Sequence, residues 1–546
     1  MVGEPNLRAA ADLASPHGPT KRTRPAKKLR AGSFVIESVL GRLGGTTVNH
    51  RRAEILVEFN KIAVQEIPTA FLATALRLEH RATLRGFHVG SLDANLTGKL
   101  IARLKRFFTV SHRNHRARYQ AFRCSRWIWA EESVKKRHFA AARKFLSSSH
   151  SLNLSSIEEM RFRGCLVGDL IYDDFLARNE AATIPLESPE LRRHLIECIA
   201  VCAHLFEYFD EHKVAAVVGN HVYRQGLVPR IANFFGIPSY EVSLNRVAHI
   251  SNSFAPHSES ARLREMFASL PARNQEHGLR WAQEELHGDR LSKDITTYHL
   301  KQPSGRRYEN AEQFFDGRFS VLIALHCMTD SPHVRGIGIF ADYLEWLKFT
   351  LQTCRELNFL PLIKPHPACP EISELSAQLG GHFGFGVLPS DIALSQLVEA
   401  GLGSVITYSG NIGFEAALLG LPVVCGHPEN RYGSYSFVMS PTSREAYRNA
   451  IATAASSPPL LQTAELHEYL FMSRKYFPND LFFEDLSSVL RHAMKSRSPS
   501  EHIAQAFINE NGREKVSQIL STLRNFIAAG DQRLTRTHFA ASKDHP

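Results

Sequence analysis

Cysteine is scarce: the chain has eight in 546 residues, and no two are spaced C-x-x-C. That is too few for a disulfide scaffold and offers no zinc-type ligand spacing, so reduced, buried thiols are expected. Cys198 and Cys202 lie four apart in a helical stretch and read as two small core residues of one face. No run approaches the ~18–20 apolar residues that span a bilayer. No apolar stretch follows the basic start at 21–30 either, so a cytoplasmic location is expected. Common catalytic signatures are missing as well. There is no G-x-x-x-x-G-K-[ST], no G-x-G-x-x-G opening a helix after the first strand, no H-E-x-x-H and no G-x-S-x-G. P-loop NTPases, dinucleotide oxidoreductases and zincins are thereby disfavoured, and no residue set reads as a metal site.

What is present is ordinary globular composition, 44% hydrophobic and 22% charged, at a length that suits two large domains with tails. The formal net charge is +11 and the pI about 9.2, which favours acidic partners. The excess is concentrated. Residues 99–144 carry fourteen Lys or Arg against two Glu, a surplus that alone accounts for the imbalance. This segment reads as helical, with aromatic residues (Phe107, Phe108, Tyr119, Trp127, Trp129) among the cations.

Apolar runs bounded by turn signals alternate with helical periodicity, the pattern of βαβ units around parallel sheets. In the first half, strands are expected at 53–59, 85–89, 214–219 and 239–243. In the second half they are expected at 319–325, 359–363 (with Pro361 marking the start), 404–408 and 422–425, with a short extended piece at 383–388. Helices are expected between them, including 371–379. The division that follows is a basic arm at 1–30, a first domain at 31–300 that includes the basic segment 99–144, a linker at 301–318, a second domain at 319–495, and a helical, polar tail at 496–546.

In an open parallel sheet, ligands bind outside the carboxyl ends of the strands. The segments that follow the strands of the second half are 326–333 (HCMTDSPH), 364–367 (KPHP), 389–391 (PSD), 409–413 (SGNIG) and 426–432 (GHPENRY). All are polar and rich in Gly, Pro or ligand-type side chains, and all fall on one rim, whereas loops at the opposite ends, such as 401–403, are plain turns. Ser409, Gly410 and Asn411 precede a helix, where backbone N–H groups suit a phosphate and Gly410 lets an oxygen come close; an ordinary N-cap is the competing reading. Glu415 lies in that helix's first turn, favoured there by the helix dipole or as a ligand of ribose hydroxyls. Lys364 and His366, stiffened by two prolines, offer charge and donors to a phosphate. Thr329, Asp330 and His333 complete the candidates of this rim. In the first half, Asn220 and His221 follow a buried strand. Asp169, Asp173 and Asp174 of the G-D-L-I-Y-D-D segment are either carboxylates of a cleft or acidic residues of a helix start.

These residues resemble a known family. The KPHP turn, the S-G-N-x-G-x-E-A-x-x-x-G-x-P-V segment and the ordered strings HCxTDxPH and LPSDIALS are similar to bacterial capsule and surface-polysaccharide glycosyltransferases of the GT-B class. The likeness is to the group that includes Kdo transferases, and it covers at most about half of the chain. It implies two Rossmann-like domains with parallel sheets facing a central cleft, here with a basic helical insertion, and metal-independent sugar transfer. The substrate implied is a nucleotide-sugar donor, CMP-Kdo among the candidates, and no separate cofactor. The donor phosphate would fall to His366, Ser409 and Asn411, supported by Lys364, Gly410, Glu415, Thr329, Asp330 and His333. The acceptor, a glycan or glycolipid, would lie against Asn220 and His221, with Asp169 or Asp173 as acid/base. The chain departs from its relatives at Gly410-Asn411, where a second hydroxyl often stands, which puts a two-hydroxyl phosphate grip in question. Two alternatives remain: a nucleotide-sugar 2-epimerase, and a basic nucleic-acid-binding protein, the latter disfavoured. Aromatics among the cations of 99–144 also suit an anionic membrane surface, hence a peripheral association.

Overall fold

The computed structural model describes residues 53–59, 63–90, 119–148, 152–251, 262–287, 305–309, 321–369, 384–456, 463–477 and 513–538, apart from isolated positions within them, together with 481–483, 489 and 506–507. The arm at 1–30, the first part of the basic segment, most of the linker and the helix expected at 371–379 lie outside the described residues.

The first half is built on a six-stranded sheet of order β3-β2-β1-β6-β7-β8. Its strands are β1 (Glu54–Glu58), β2 (Thr83–His88), β3 (Arg126–Trp129), β6 (Val214–Val218), β7 (Ser239–Ser243) and β8 (Arg246–Ile250). All neighbours are parallel except the β7–β8 hairpin. A two-residue antiparallel pair, β4 (Arg161–Phe162) with β5 (Cys165–Leu166), stands apart. On one face pack α1 (Ala63–His80) and, from the far end of the chain, α14 (Arg513–Ala529). The other face carries α2 (Lys136–Ser147), α3 (Leu154–Glu158), α4 (Gly168–Asn179), α5 (Pro189–Glu211) and α6 (Leu227–Phe234). α5 shows why such helices form where they do. Ser188 caps it by accepting from Leu191 N at 3.1 Å, and Pro189 takes the first turn, where its missing N–H costs nothing.

The second half has a five-stranded, all-parallel sheet of order β11-β10-β9-β12-β13. Its strands are β9 (Val321–Ala324), β10 (Pro361–Lys364), β11 (Gly386–Val387), β12 (Ser404–Thr407) and β13 (Val423–Cys425). Pro361 opens β10, the strand position that tolerates a missing donor. Two helices, α7 (Leu263–Ala268) and α8 (Ala272–His287), come from the sequence assigned to the first half but join this core beside α13 (Thr463–Phe471). The remaining helices are α9 (Tyr343–Glu356), α10 (Leu394–Glu399), α11 (Ile412–Leu418) and α12 (Arg444–Ser456).

Three expectations change. Residues 126–129 of the basic segment form the edge strand β3 rather than helix, because alternating Trp127 and Trp129 pack on Phe59. The C-terminal segment is no detached tail: α14 covers the first sheet, and 532–534 run along β8, with His249 N donating to Gln532 O (2.8 Å) and Leu534 N to Val247 O (3.0 Å). Cys327 and Cys369 are joined in a disulfide, which ties the loop after β9 to the loop after β10; the other six thiols are buried.

The two halves are fastened through His333. This side chain from the second half is buried between Asp173 on α4 (Nδ1 to Oδ1, 2.6 Å) and Glu158 on α3 (Nε2 to Oε2, 3.0 Å). Burial opposes the imidazolium, but the two carboxylates outweigh it and lift the His333 pKa to about 10. Tyr172 donates to Asp342, the N-cap of α9, at 2.7 Å, and Tyr223 donates to Asp330 at 3.2 Å. The last bond joins the loop after β6 to the loop after β9, so the carboxyl-end rims of the two sheets meet.

Two predictions follow from this packing. A Cβ at Gly168 would overlap the backbone oxygen of Ile157, and no side-chain movement can relieve that. Gly168→Ala should therefore destabilise by ~1–3 kcal/mol, read as a lower midpoint in chemical denaturation. His333→Ala should cost about 3–5 kcal/mol, because it strands two buried carboxylates. Since the folded pKa lies above the ordinary value, the stabilisation from His333 is complete below about pH 6.5. It is lost as pH rises toward about 10, a decline that should flatten in the variant's stability–pH curve.

Candidate functional site

Each sheet has one place where the chain reverses direction across it. In the first sheet the order runs outward from β1 to β2 and β3, then resumes beyond β1 with β6. In the second it runs from β9 to β10 and β11, then resumes with β12. The loops leaving the two central strands diverge there and open a crevice at the carboxyl ends. The crevices are bounded by Glu58 and Asn220 in the first half, and by His326 and Ser409 in the second.

The second crevice is cationic. Ser409 N donates to His326 Nε2 at 3.3 Å, which leaves the His326 proton on Nδ1, and the His326 ring stacks on Tyr343 with centroids 5.0 Å apart. Burial, then His366, Arg431 and Arg335, hold the His326 pKa well below its ordinary value, so the ring stays neutral. The His366 ring lies 6.3 Å from it. Arg431 donates through Nε to Ser409 O at 2.9 Å and through Nη1 to Asn411 Oδ1; its Nη2 has no protein partner among the described residues. Arg335 is buried, and burial together with the charge of Arg431 lowers its pKa to about 9. Gly410 keeps the turn tight, since a Cβ there would stand 2.9 Å from Thr407 Oγ1.

Thus His326, His366, Ser409, Gly410, Asn411 and Arg431 come together. Lys364 takes a different position. It is buried and donates to Ser390 O at 2.6 Å, so it supports the Pro389–Asp391 turn from beneath. Burial lowers its pKa, against the pull of Glu415 and Asp391. Glu415 is exposed on α11. Thr329 Oγ1 lies 3.4 Å from the Cys327 sulfur, and Asp330, exposed, accepts from Ser331 N at 2.8 Å as well as from Tyr223. His333 is the fastening described above, not a wall of this crevice.

The first-half candidates divide in the same way. All three carboxylates of α4 are buried against cations. Asp169 receives both Nη groups of Arg230 (3.1 and 2.9 Å), Asp173 holds His333, and Asp174 receives Arg178 Nε (2.7 Å) and Arg224 Nε (3.0 Å). Asp174, His194 and Cys198 lie within 4.8 Å of one another. However, His194 Nε2 donates to Ile171 O (3.1 Å) and Nδ1 accepts from Arg224 Nη2 (3.3 Å). Both ring nitrogens are thus engaged, and the pocket holds a guanidinium rather than offering lone pairs to a metal.

At the first crevice, His221 Nδ1 stands 3.2 Å from Glu241 Oε1, and Arg246 Nη2 lies 3.1 Å from Glu241 Oε2. Burial disfavours the Glu241 charge, yet these partners pull its pKa to about 2. Asn220 presents its backbone N–H, rather than its side chain, to Glu58 Oε2 at 2.5 Å, while Asn220 Oδ1 accepts from Val222 N. Sequence reasoning missed Glu58, Arg335 and Arg431 as site residues. The signal for Glu58 was its place at the end of the first expected strand, and Arg431 lies within a rim loop that the sequence does mark.

Of the aromatic residues expected at a membrane surface, Phe107 and Phe108 lie outside the described residues, and the described ones are turned inward: Tyr119 is buried, and Trp127 and Trp129 stack in a cluster with Phe59. Arg137 and His138 of α2 pair with Glu207, while Lys135, Lys136, Arg143 and Lys144 are exposed. No helix among the described residues is long and apolar enough to cross a membrane.

No family model matches the chain, and no curated protein does. Among solved structures it is similar to the UDP-GlcNAc 2-epimerase of Methanocaldococcus jannaschii in complex with UDP-GlcNAc and UDP. That match has 10% identity, covers 76% of this chain and 97% of the other, and has a TM-score of 0.23. MnaA of S. aureus with UDP matches at 11% identity over 87% and 97% of the two chains, TM-score 0.25. The glycosyltransferase SnogD of Streptomyces nogalater matches at 13% identity over 78% and 95%, TM-score 0.21. At such scores the likeness carries no argument about this chain, and its architecture rests on its own two parallel sheets.

Proposed function

We propose that the protein is a glycosyltransferase that moves a sugar from a nucleotide-linked donor to a hydroxyl of a surface glycan or glycolipid. One observation carries the reading: the gathering of Arg335, Arg431, His326 and His366 around Ser409–Asn411 at the switch point of the second sheet. Grouping cations at low exposure raises the energy of the empty protein, as the lowered pKa values of His326 and Arg335 attest. An anion bound there removes that cost. A nucleotide phosphate, which gains negative charge as its bond to the sugar breaks, is the group such an arrangement favours most in the transition state. The reading is metal-independent because the protein's own guanidinium groups, Arg335 and Arg431, supply the positive charge.

The finer assignment, to the capsule and Kdo-transferase group with a CMP-linked donor among the candidates, rests on the KPHP, HCxTDxPH and LPSDIALS strings. An anionic membrane surface as a further partner rests on the exposed cations of α2 and its N-cap.

A thermal-shift screen with CMP-, UDP-, GDP- and CDP-linked sugars tests the donor. One class should stabilise the fold by ~2.7 kcal/mol at a hundredfold excess over its Kd. Arg431→Ala should weaken that donor ~10-fold or more, the loss of a charged hydrogen bond, with the fold intact because Arg431 lies on a rim loop. Unchanged affinity in a folded Arg431→Ala protein, measured by calorimetry, would remove the cationic crevice from donor binding. Conversion of the donor to an epimer in the absence of acceptor would replace transfer by epimerisation.

A further inference from the structure

The transfer reading leaves the first crevice without a chemical role, and the α4 carboxylates cannot readily fill it because each is held by a cation. The residue that stands there is Glu58. It ends β1, next to β6, at the switch point of the first sheet. Its Oε2 accepts from Asn220 N at 2.5 Å, while Oε1 has no protein partner among the described residues. A Cβ at Gly219 would lie 3.1 Å from Phe87 Cζ and 3.5 Å from Oε2, so the glycine lets the loop after β6 pack close to this carboxyl. The backbone oxygen of Glu58 is pinned by Tyr119 Oη at 2.7 Å, which fixes where the side chain departs. Phe59 and Trp129, with His88 edge-on to both, pack as an aromatic cluster that stiffens the same ends of β1, β2 and β3.

We propose that Glu58 is the catalytic base, taking the proton of the acceptor hydroxyl at Oε1; the proposal rests on the transfer reading above. In the step, an electron pair of the acceptor oxygen forms the bond to the anomeric carbon of the donor sugar while the O–H bond breaks and its pair stays on that oxygen. The proton passes to Glu58. The bond between the anomeric carbon and the phosphate oxygen breaks, and its electron pair leaves with the phosphate into the cationic crevice of the second half. One base acting in a single displacement inverts the anomeric configuration.

The electrostatic setting agrees with this role. Burial, opposed by the Asn220 N–H and reinforced by the charge of Glu241, raises the Glu58 pKa to about 7. Such a group is a far better proton acceptor than an ordinary carboxylate and is still largely ionised just above neutrality. The charged group facing it is Glu241 on β7, which is ion-paired with Arg246 and has His221 Nδ1 3.2 Å from its Oε1. Turnover should therefore rise as pH passes through about 7 and Glu58 loses its proton.

The test uses the full chain and the donor, among CMP-, UDP-, GDP- and CDP-linked sugars, that the wild type consumes in the presence of glycan acceptor. Glu58→Gln preserves size and the Asn220 hydrogen bond. It should bind that donor within about twofold of wild type, yet transfer ~10² or more slower and without the rise near pH 7. Glu58→Asp, with the carboxyl withdrawn by one methylene, should recover part of the rate. Wild-type turnover in Glu58→Gln, loss of donor binding in step with turnover, or retention of configuration in the product would each overturn the assignment. If the wild type neither binds nor consumes any of the four donor classes, the transfer reading itself fails, and the assignment falls with it.

Discussion

The contact on which the rest of this structure depends is a single buried imidazolium. His333 reaches from the loop after β9 into the first half and sits between Asp173 and Glu158. Burying three ionisable groups is costly unless their charges and hydrogen bonds match. Here they match in a way that only the assembled halves can provide. Separation would leave two carboxylates on one side and one cation on the other, so the arrangement penalises any opening wide enough to break it. Tyr172 to Asp342 and Tyr223 to Asp330 add neutral-to-charged bonds across the same seam. The consequence is positional. With the loops after β6 and β9 held together, the switch points of both sheets open toward one space.

The two sides of that space are chemically unlike. On the second half, cations crowd: His326 is kept neutral by its neighbours, and Arg335 loses part of its basicity to burial and Arg431. On the first half, an acid is kept from ionising easily, with Glu58 raised to about 7. Elsewhere the same kinds of groups are neutralised in place, as with Asp169 by Arg230 or Asp174 by Arg224 and Arg178. Departures from ordinary ionisation that come from burial and like charge mark places where a ligand has something to complete. Those that come from a satisfied partner mark places where the fold is already complete.

This distinction also explains what could be read from the sequence. Parallel sheets, their strands and the rim loops follow from apolar runs and turn residues, signals that are local. Pro361 at the start of β10 and the helix after Ser409–Asn411 are of this kind. The identity of the working carboxylate is not. Asp169 and Asp173 on α4 and Glu58 at the end of β1 are all carboxylates of the first half, and only the tertiary partners, Arg230, His333 and a lone backbone N–H, tell them apart. Residues 126–129 misled for the opposite reason: their charges suggested a solvated helix, while the strand depended on Phe59 lying opposite Trp127 and Trp129. The division at 300 failed to capture α7, α8 and α14 because packing between segments far apart in sequence leaves no mark on local periodicity.

The departure at Gly410-Asn411 is resolved by the same logic of partners. A second hydroxyl at this turn would give one more neutral donor. Asn411 instead turns its carbonyl oxygen to Arg431 Nη1, while Ser409 O takes Nε, so two atoms of the turn orient a guanidinium whose Nη2 remains outside those bonds. A charged donor held by one backbone and one side-chain acceptor loses little freedom when it binds and forms stronger hydrogen bonds than a hydroxyl does. Gly410 allows this, because any larger residue would press on Thr407 and disturb the turn that presents Asn411. The position that lacks a hydroxyl is therefore the position that sets the arginine.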